Sequence, residues 1–141
     1  MPETSKISAE DLSNLVRQGF ERVGFPSGDA ETAAEILVTT DLMGISTHGV
    51  HRLEQYLKRL RAGVINPIPN ITVDDRAPAL AILNGDGGQG QVVAARALEL
   101  AMSKARANGI GYVGVKNSNH FGATAPYGYA ASVAVMALIC G

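Results

Sequence analysis

The feature that most constrains the fold is a glycine-rich turn between a short apolar segment and a long helical pattern. The turn, NGDGGQG at residues 84–90, follows an apolar stretch at 79–83. Apolar residues then recur at helical spacing over 91–107, and a second apolar stretch, IGYVGV, follows at 110–115. Apolar strands that alternate with helical patterns are typical of β-loop-α-β units. The sequence therefore predicts an α/β fold for the second half of the chain.

Helical patterns fill the first half of the chain. Ser8 and Asp11 have the spacing of a capping box, and two amphipathic segments follow. A third helix is predicted over residues 48–62, where leucines and a valine repeat at three and four positions. We therefore expect an N-terminal segment of three helices over 1–66, followed by an incomplete α/β domain over 67–141.

Shorter elements complete the prediction. Strands are expected at 71–73 and 79–83, separated by a turn at Asp74 and Asp75. The apolar run at 135–140 (VMALIC) is interpreted as a buried strand that has only begun. Because the backbone groups of a core strand need hydrogen-bond partners, we interpret the chain as truncated.

Composition and charge argue against several classes of protein. The net charge is -1 and the basic residues are scattered, which favours neither a nucleic-acid surface nor a polybasic membrane patch. The longest apolar stretch, 132–140, is too short to span a bilayer. The single cysteine, Cys140, excludes an internal disulfide, and residues 1–8 lack the pattern of a signal peptide. A cytoplasmic location is therefore predicted.

One histidine stands where a predicted strand ends. His120 follows the strand at 110–115 and lies in the polar segment 116–122 (KNSNHFG). Ligands of α/β folds gather at the carboxyl ends of strands. Neighbouring asparagine and serine side chains could fix the tautomer of the imidazole, and Gly122 would let a ligand approach the backbone. The alternative is an incidental histidine in a polar loop.

The third predicted helix carries a second group of candidate residues. His48, Arg52 and Tyr56 repeat every four positions and therefore share a face that differs from the apolar stripe. A guanidinium fork at the start of a helix would suit a planar carboxylate. The alternative is a solvated polar face. Under the first interpretation, the imidazole of His120 and the guanidinium of Arg52 converge on one small acid.

The glycine-rich turn also matches a dinucleotide-binding fingerprint. Gly85, Gly87 and Gly90 have the G-x-G-x-x-G spacing. That fingerprint requires an acidic residue at the end of the next strand, where this chain has Lys-Asn-Ser at 116–118. We therefore interpret the glycines as a turn that packs a strand against a helix and borders the candidate site.

Taken together, the motifs closely resemble the type-2 malate/L-lactate dehydrogenase family. This group includes malate, sulfolactate and ureidoglycolate dehydrogenases and Δ1-piperideine-2-carboxylate reductase. The resemblance depends on STHG at 46–49 with Arg52 and Tyr56, on the turn at 86–90, and on NSNHFG at 117–122. It implies a non-Rossmann, three-layer α/β/α fold with a mixed sheet, NAD or NADP as cofactor, and a homodimer. The family's chains are longer, so this chain would correspond to their N-terminal part.

The resemblance also implies roles for individual residues. His120 matches the family's catalytic histidine. The matched substrate-pocket positions, which lie in the 1–66 segment, are His48, Arg52 and Tyr56. Cofactor contacts are assigned to Asn119, Phe121 and Gly122.

The function implied is hydride transfer between NAD(P)H and a small 2-oxo or 2-hydroxy acid, or a related cyclic imino acid. Two alternatives remain open. His48, His51 and His120 could hold a catalytic zinc in a hydrolase. The chain could also be a non-catalytic fragment, because the resemblance places most cofactor contacts and a lysine beyond residue 141. We therefore expect the 141 residues alone to be inactive.

Overall fold

The computed structural model describes residues 6–141. Its helices are α1 (Ala9–Glu21), α2 (Ser27–Leu42), α3 (Leu53–Arg61), α4 (Gly90–Asn108) and α5 (Ala125–Val133). Its strands are β1 (Thr72–Ala77), β2 (Leu80–Gly88) and β3 (Tyr112–Ser118). The predicted helical segment starts at residue 1, and residues 1–5 of it lie outside the described part of the chain. Within residues 6–141, no helix combines the length and the apolar character that crossing a bilayer requires.

The first helices form a packed cluster. Half of the predicted capping box is present, because the Ser8 hydroxyl accepts a hydrogen bond from the Asp11 N–H at 3.0 Å as an N-cap. Side chains four positions apart, Val16 and Phe20, point from α1 into the interior and are fully buried. We call this core the helical cluster; its buried members are Val16, Phe20, Phe25, Ala30, Ala33, Ala34, Leu37, Tyr56, Leu60, Ile65 and Val92.

The third helix begins later than predicted. Two 3₁₀ turns, Ser46–His48 and Val50–Arg52, precede α3, and no side chain caps α3. Gly49 separates the turns with φ −87° and ψ −147°, which is not helical. The Asp41 carboxylate of α2 accepts a hydrogen bond from the Val50 N–H at 2.9 Å, and a Cβ on Gly49 would lie 2.0 Å from it. This contact between distant residues breaks the helix, and local periodicity does not report it.

The sheet is mixed, as expected. Its order is β1-β2-β3, with β1 antiparallel to β2 and β2 parallel to β3. The turn between β1 and β2 lies at Pro78 and Ala79, not at Asp74 and Asp75, which pair within β1. Every residue of β1 is exposed. Asp74 and Asp75 therefore stay in contact with water in this edge strand, and they cost little free energy of folding. Proline, which fixes φ, makes the turn.

Helix α4 connects the sheet to the helical cluster. Val92 belongs to the helical cluster, whereas Val93 and Ala97 pack with Leu83 of β2 in a smaller core, which we call the sheet cluster. A Cβ on Gly111 would lie 2.1 Å from the Ala101 carbonyl oxygen, so the chain entering β3 runs directly against α4. The layers are thus the sheet, then α4, with α2 packed on α4 and α1 packed in turn on α2.

The strand predicted over residues 135–140 is wrong. After α5 the chain continues without regular structure, and Val135 takes a positive φ of 59°. Val135 is 94% exposed and Ile139 is fully exposed, so the apolar run is not part of a core. Within the described residues no strand pairs with it, and apolar composition alone does not make a strand.

Candidate active site

Side chains from α3 and from the segment after β3 meet at one cavity of about 210 Å³. Its lining residues are Arg52, Gln55, Tyr56, Arg59, Ile65, Asn119 and His120. The cavity therefore lies where the helical half of the chain meets the sheet. His120 and Arg52, which the sequence assigned to one ligand, line the same cavity.

The glycine-rich turn holds the backbone on both sides of His120. The Asn119 side chain donates hydrogen bonds to the Gly87 carbonyl at 2.7 Å and to the Gly88 carbonyl at 3.0 Å. A Cβ on Gly90 would lie 2.2 Å from the His120 carbonyl oxygen, so only glycine allows α4 to start this close. The turn thus borders the candidate site, as the sequence predicted.

His120 is oriented by a tyrosine from α3. The Tyr56 hydroxyl lies 2.9 Å from His120 Nδ1, within hydrogen-bond distance. The His48 ring is close on another side, with ring centroids 5.7 Å apart. Among residues 6–141, no group bonds to His120 Nε2. That nitrogen is therefore the one left to exchange a proton with a ligand.

The local environment controls the protonation of the His120 and Tyr56 side chains. Desolvation lowers the pKa of His120, and the nearby charges of His48, Arg52 and Arg59 lower that pKa further. A lowered pKa keeps the imidazole neutral and able to accept a proton near pH 7. Burial raises the pKa of Tyr56, so the phenol stays protonated and can hydrogen-bond to His120.

Thr47 positions both of the other predicted substrate residues. Its carbonyl accepts a hydrogen bond from Arg52 Nε at 2.8 Å, and its hydroxyl lies 2.9 Å from His48 Nδ1. Arg52 Nη1 donates to Gln55 Oε1 at 3.1 Å. No carboxylate within the described residues lies at ion-pair distance from Arg52. Its positive charge is therefore held in place and left without a counter-ion.

A larger groove of about 650 Å³ adjoins the cavity and shares Asn119 with it. Phe121 and Tyr127 also line the groove, with ring centroids 5.7 Å apart, and the Tyr127 hydroxyl donates to the Phe121 carbonyl at 2.7 Å. Gly122 follows with φ +88°, a conformation that favours glycine. Two of the three predicted cofactor contacts, Asn119 and Phe121, therefore line a groove of cofactor size beside the cavity, whereas Gly122 is not among its lining residues.

The sequence analysis missed Gln55 and Ile65 in the cavity wall, and it also missed Arg59 and Gln91, which bear more on the chemistry. Arg59 lies three positions after Tyr56, so extending the row of His48, Arg52 and Tyr56 by one helical turn would have found it. Gln91 is fully buried beside Gly122, and its Nε2 has no hydrogen-bond partner in the described chain. No sequence signal indicated it, because glutamine in the first turn of a helix is usually solvated.

The three histidines do not form a metal centre. Within residues 6–141, no group of three or more His, Cys, Asp or Glu side chains could hold a metal ion. His51 is exposed, whereas the His48 ring lies beside the His120 ring but is not among the residues that line the cavity. The donor set gives the zinc-hydrolase alternative no support.

Comparison with known proteins identifies similar chains. The chain is 42% identical over 122 residues to the malate dehydrogenase of Pyrococcus abyssi, covering 86% of this chain and 34% of that protein. It is 40% identical over 121 residues to the L-sulfolactate dehydrogenase of Methanocaldococcus jannaschii, covering 86% of this chain and 35% of that protein. The chain thus spans about a third of the length of these curated relatives.

Solved structures share the fold. The malate dehydrogenase of Pyrococcus horikoshii superposes with a TM-score of 0.87 at 35% identity, covering 95% of this chain and 40% of that one. The family model described as malate/L-lactate dehydrogenase matches residues 7–141. The α/β class with a mixed sheet is therefore confirmed, and the chain belongs to the malate/L-lactate dehydrogenase family.

Proposed function

We propose that the whole protein transfers a hydride between NADH or NADPH and a small 2-oxo or 2-hydroxy acid. The observation that carries the proposal is the shared cavity, which Arg52 and His120 line together while Tyr56 holds His120 Nδ1. A cation for a carboxylate and an imidazole for a carbonyl oxygen are the two groups that this reaction requires of the protein. The relatives named above act, by their names, on malate and sulfolactate, which are both 2-hydroxy acids.

Arg52 binds the carboxylate of the acid. Its Nε donates to the Thr47 carbonyl and its Nη1 to Gln55. This leaves Nη2 to donate to the carboxylate and places the neighbouring carbonyl toward His120. The His48 ring lies 5.7 Å from the His120 ring, and we assign it a second polar contact with the same ligand. Tyr56 closes the wall of the pocket between them.

His120 moves the proton. In reduction, the protonated imidazole gives the Nε2 proton to the carbonyl oxygen as the hydride reaches the carbonyl carbon. In oxidation, the neutral imidazole takes the hydroxyl proton back. The lowered pKa of His120 favours the neutral form, and the negative charge of a bound acid raises that pKa again. The same residue therefore serves both directions.

The groove on the other side of Asn119 would hold the cofactor. When bound, NADH or NADPH supplies the hydride. Asn119 and Phe121 line the groove there, and Gly122, directly after Phe121, would let a flat ring approach the backbone. The related reduction of a cyclic imino acid would use the same geometry, because its C=N group also needs a hydride on carbon and a proton on the heteroatom.

The test is an absorbance assay at the NADH band with the whole protein, both cofactors and a panel of 2-oxo acids and cyclic imines. We expect turnover, and His120→Ala should lower kcat by about a hundred-fold or more. Arg52→Gln should mainly raise KM for the acid. No turnover with any pair would contradict the function, and an unchanged KM in Arg52→Gln would contradict the carboxylate clamp. The 141 residues alone should show no turnover.

A further inference from the structure

A second guanidinium shares the cavity with Arg52. Arg59 lies on α3, seven positions after Arg52 and three after Tyr56, and repeats at these spacings return to one face of a helix. It lies close enough to His120 and Tyr56 for its charge to affect both rings. The mechanism above uses Arg52 for the carboxylate beside the reacting carbon. It assigns no ligand to Arg59.

The contacts of Arg59 leave most of its donors available. Its Nη2 donates one hydrogen bond, to Asn119 Oδ1 at 3.1 Å. That acceptor is neutral, and a guanidinium has five N–H groups. No carboxylate in the described chain lies within ion-pair distance of Arg59, although the neighbouring Lys58 pairs with Glu54. Arg59 therefore brings a positive charge to the cavity wall without a counter-ion.

The charge of the cavity exceeds what a monoanionic acid would balance. Two fixed cations, Arg52 and Arg59, line about 210 Å³, and no acidic side chain is among the lining residues. One carboxylate on Arg52 would leave the second guanidinium uncompensated beside a partly desolvated imidazole. A ligand with anionic groups at both ends would balance both cations.

We propose that Arg59 binds a second anionic group of the substrate, so that the site selects dianionic 2-oxo and 2-hydroxy acids over monoanionic ones. This inference rests on the proposed function and adds the substrate class to it. The second group is a carboxylate or another oxyanion, because a planar guanidinium fork binds either with paired hydrogen bonds. The competing explanation is that Arg59 only supports Asn119.

A matched pair of substrates separates the two explanations. Oxaloacetate and 2-oxobutyrate have the same four-carbon chain and differ by a carboxylate in place of a methyl group. In the whole protein we expect kcat/KM to favour oxaloacetate. Arg59→Gln should lower kcat/KM for oxaloacetate by about ten- to a hundred-fold, the range for a lost hydrogen bond between charged groups. It should change kcat/KM for 2-oxobutyrate by only a few-fold.

Arg61→Gln is the matched control, because it removes the same charge from the same helix at an exposed position outside the cavity. It should leave the preference between the two acids unchanged. Arg59→Lys should keep part of the preference, because it retains the charge and loses the fork. If Arg59 only supported Asn119, Arg59→Gln would impair both acids equally, and that result would overturn the proposal.

A binding measurement keeps this inference separate from the proposed function. Calorimetry with L-malate and L-2-hydroxybutyrate, without cofactor, reports recognition independently of hydride transfer. Tighter binding of L-malate that Arg59→Gln removes would support the dianion site even if no turnover were found. Turnover of both acids with equal kcat/KM would overturn it while the proposed function stands. A protein that neither binds nor turns over the dianion would also overturn it.

Discussion

The two halves of the chain are packed very differently. The helical cluster contains eleven buried residues from α1, α2, α3, α4 and the segments between them. The sheet cluster contains only three, Leu83, Val93 and Ala97, and most of β3 is exposed. The candidate site draws Arg52, Tyr56 and Arg59 from the first half and His120 from the second. It therefore combines a firmly packed wall with a residue that few contacts hold.

This difference explains why specific polar contacts surround His120. α3 is fixed by apolar packing, since Tyr56 and Leu60 belong to the helical cluster. The segment after β3 has no such packing, and it is held instead by the Asn119 amide, by the close approach of Gly90, and by the bond from Tyr56. Substitutions on the sheet side should therefore most affect the position of His120. Substitutions in the helical cluster should most affect the free energy of unfolding.

The largest expected effect is on the free energy of unfolding, and it is tested by comparing two buried leucines. Leu37 in the helical cluster and Leu83 in the sheet cluster are both about fully buried. Leu→Ala costs about 2–5 kcal/mol and more where the surroundings cannot relax. We expect Leu37→Ala to lie near the upper end of that range and Leu83→Ala near the lower end, as measured by urea unfolding. A cost for Leu83→Ala equal to or above that for Leu37→Ala would show that the two halves are packed alike.

A smaller effect is expected at the glycine beside His120. Gly90→Ala places a Cβ against the His120 and Asn119 carbonyl oxygens, and overpacking of this kind costs about 1–3 kcal/mol. Because the clash displaces His120, kcat of the whole protein should fall by more than the loss of folded protein alone would cause. The measurements are thermal unfolding and kcat, made in parallel on Gly90→Ala and on a control variant.

Gly128→Ala is the control for that variant. A Cβ on Gly128 meets nothing within 4 Å, and Gly128 lies inside α5, so alanine should stabilise the chain by up to about 1 kcal/mol and leave kcat unchanged. If Gly90→Ala behaved like Gly128→Ala, the glycine-rich turn would not position His120.

Local sequence signals predicted the elements that local interactions determine. The N-cap at Ser8, the alternation of strands and a helix in the second half and the strand before His120 were all predicted and are present. The start of α3 was not, because the Asp41 carboxylate on α2 breaks the helix at Gly49. The position of the β1–β2 turn was also wrong, because the exposed edge strand tolerates Asp74 and Asp75.

The candidate site was predictable in part for the same reason. Spacing of four brought out His48, Arg52 and Tyr56, although the first two lie in 3₁₀ turns before α3. Arg59 lies three positions after Tyr56, so a spacing of three, and not a further step of four, reaches it. The burial of Gln91 beside Gly122 depends on how α4 meets the segment after β3, and no local pattern in the sequence reports such a contact. The assigned roles remain predictions until the variants are measured.

The most direct test of the account is the pKa of His120 followed by NMR in the whole protein, with and without L-malate. Desolvation and the nearby cations hold this pKa below its ordinary value, and a bound acid adds negative charge that favours the imidazolium. The account predicts that L-malate raises the pKa of His120, and that Arg52→Gln raises the ligand-free pKa and weakens this response. Bound L-malate that leaves the pKa unchanged would contradict the claim that His120 and Arg52 act on one acid.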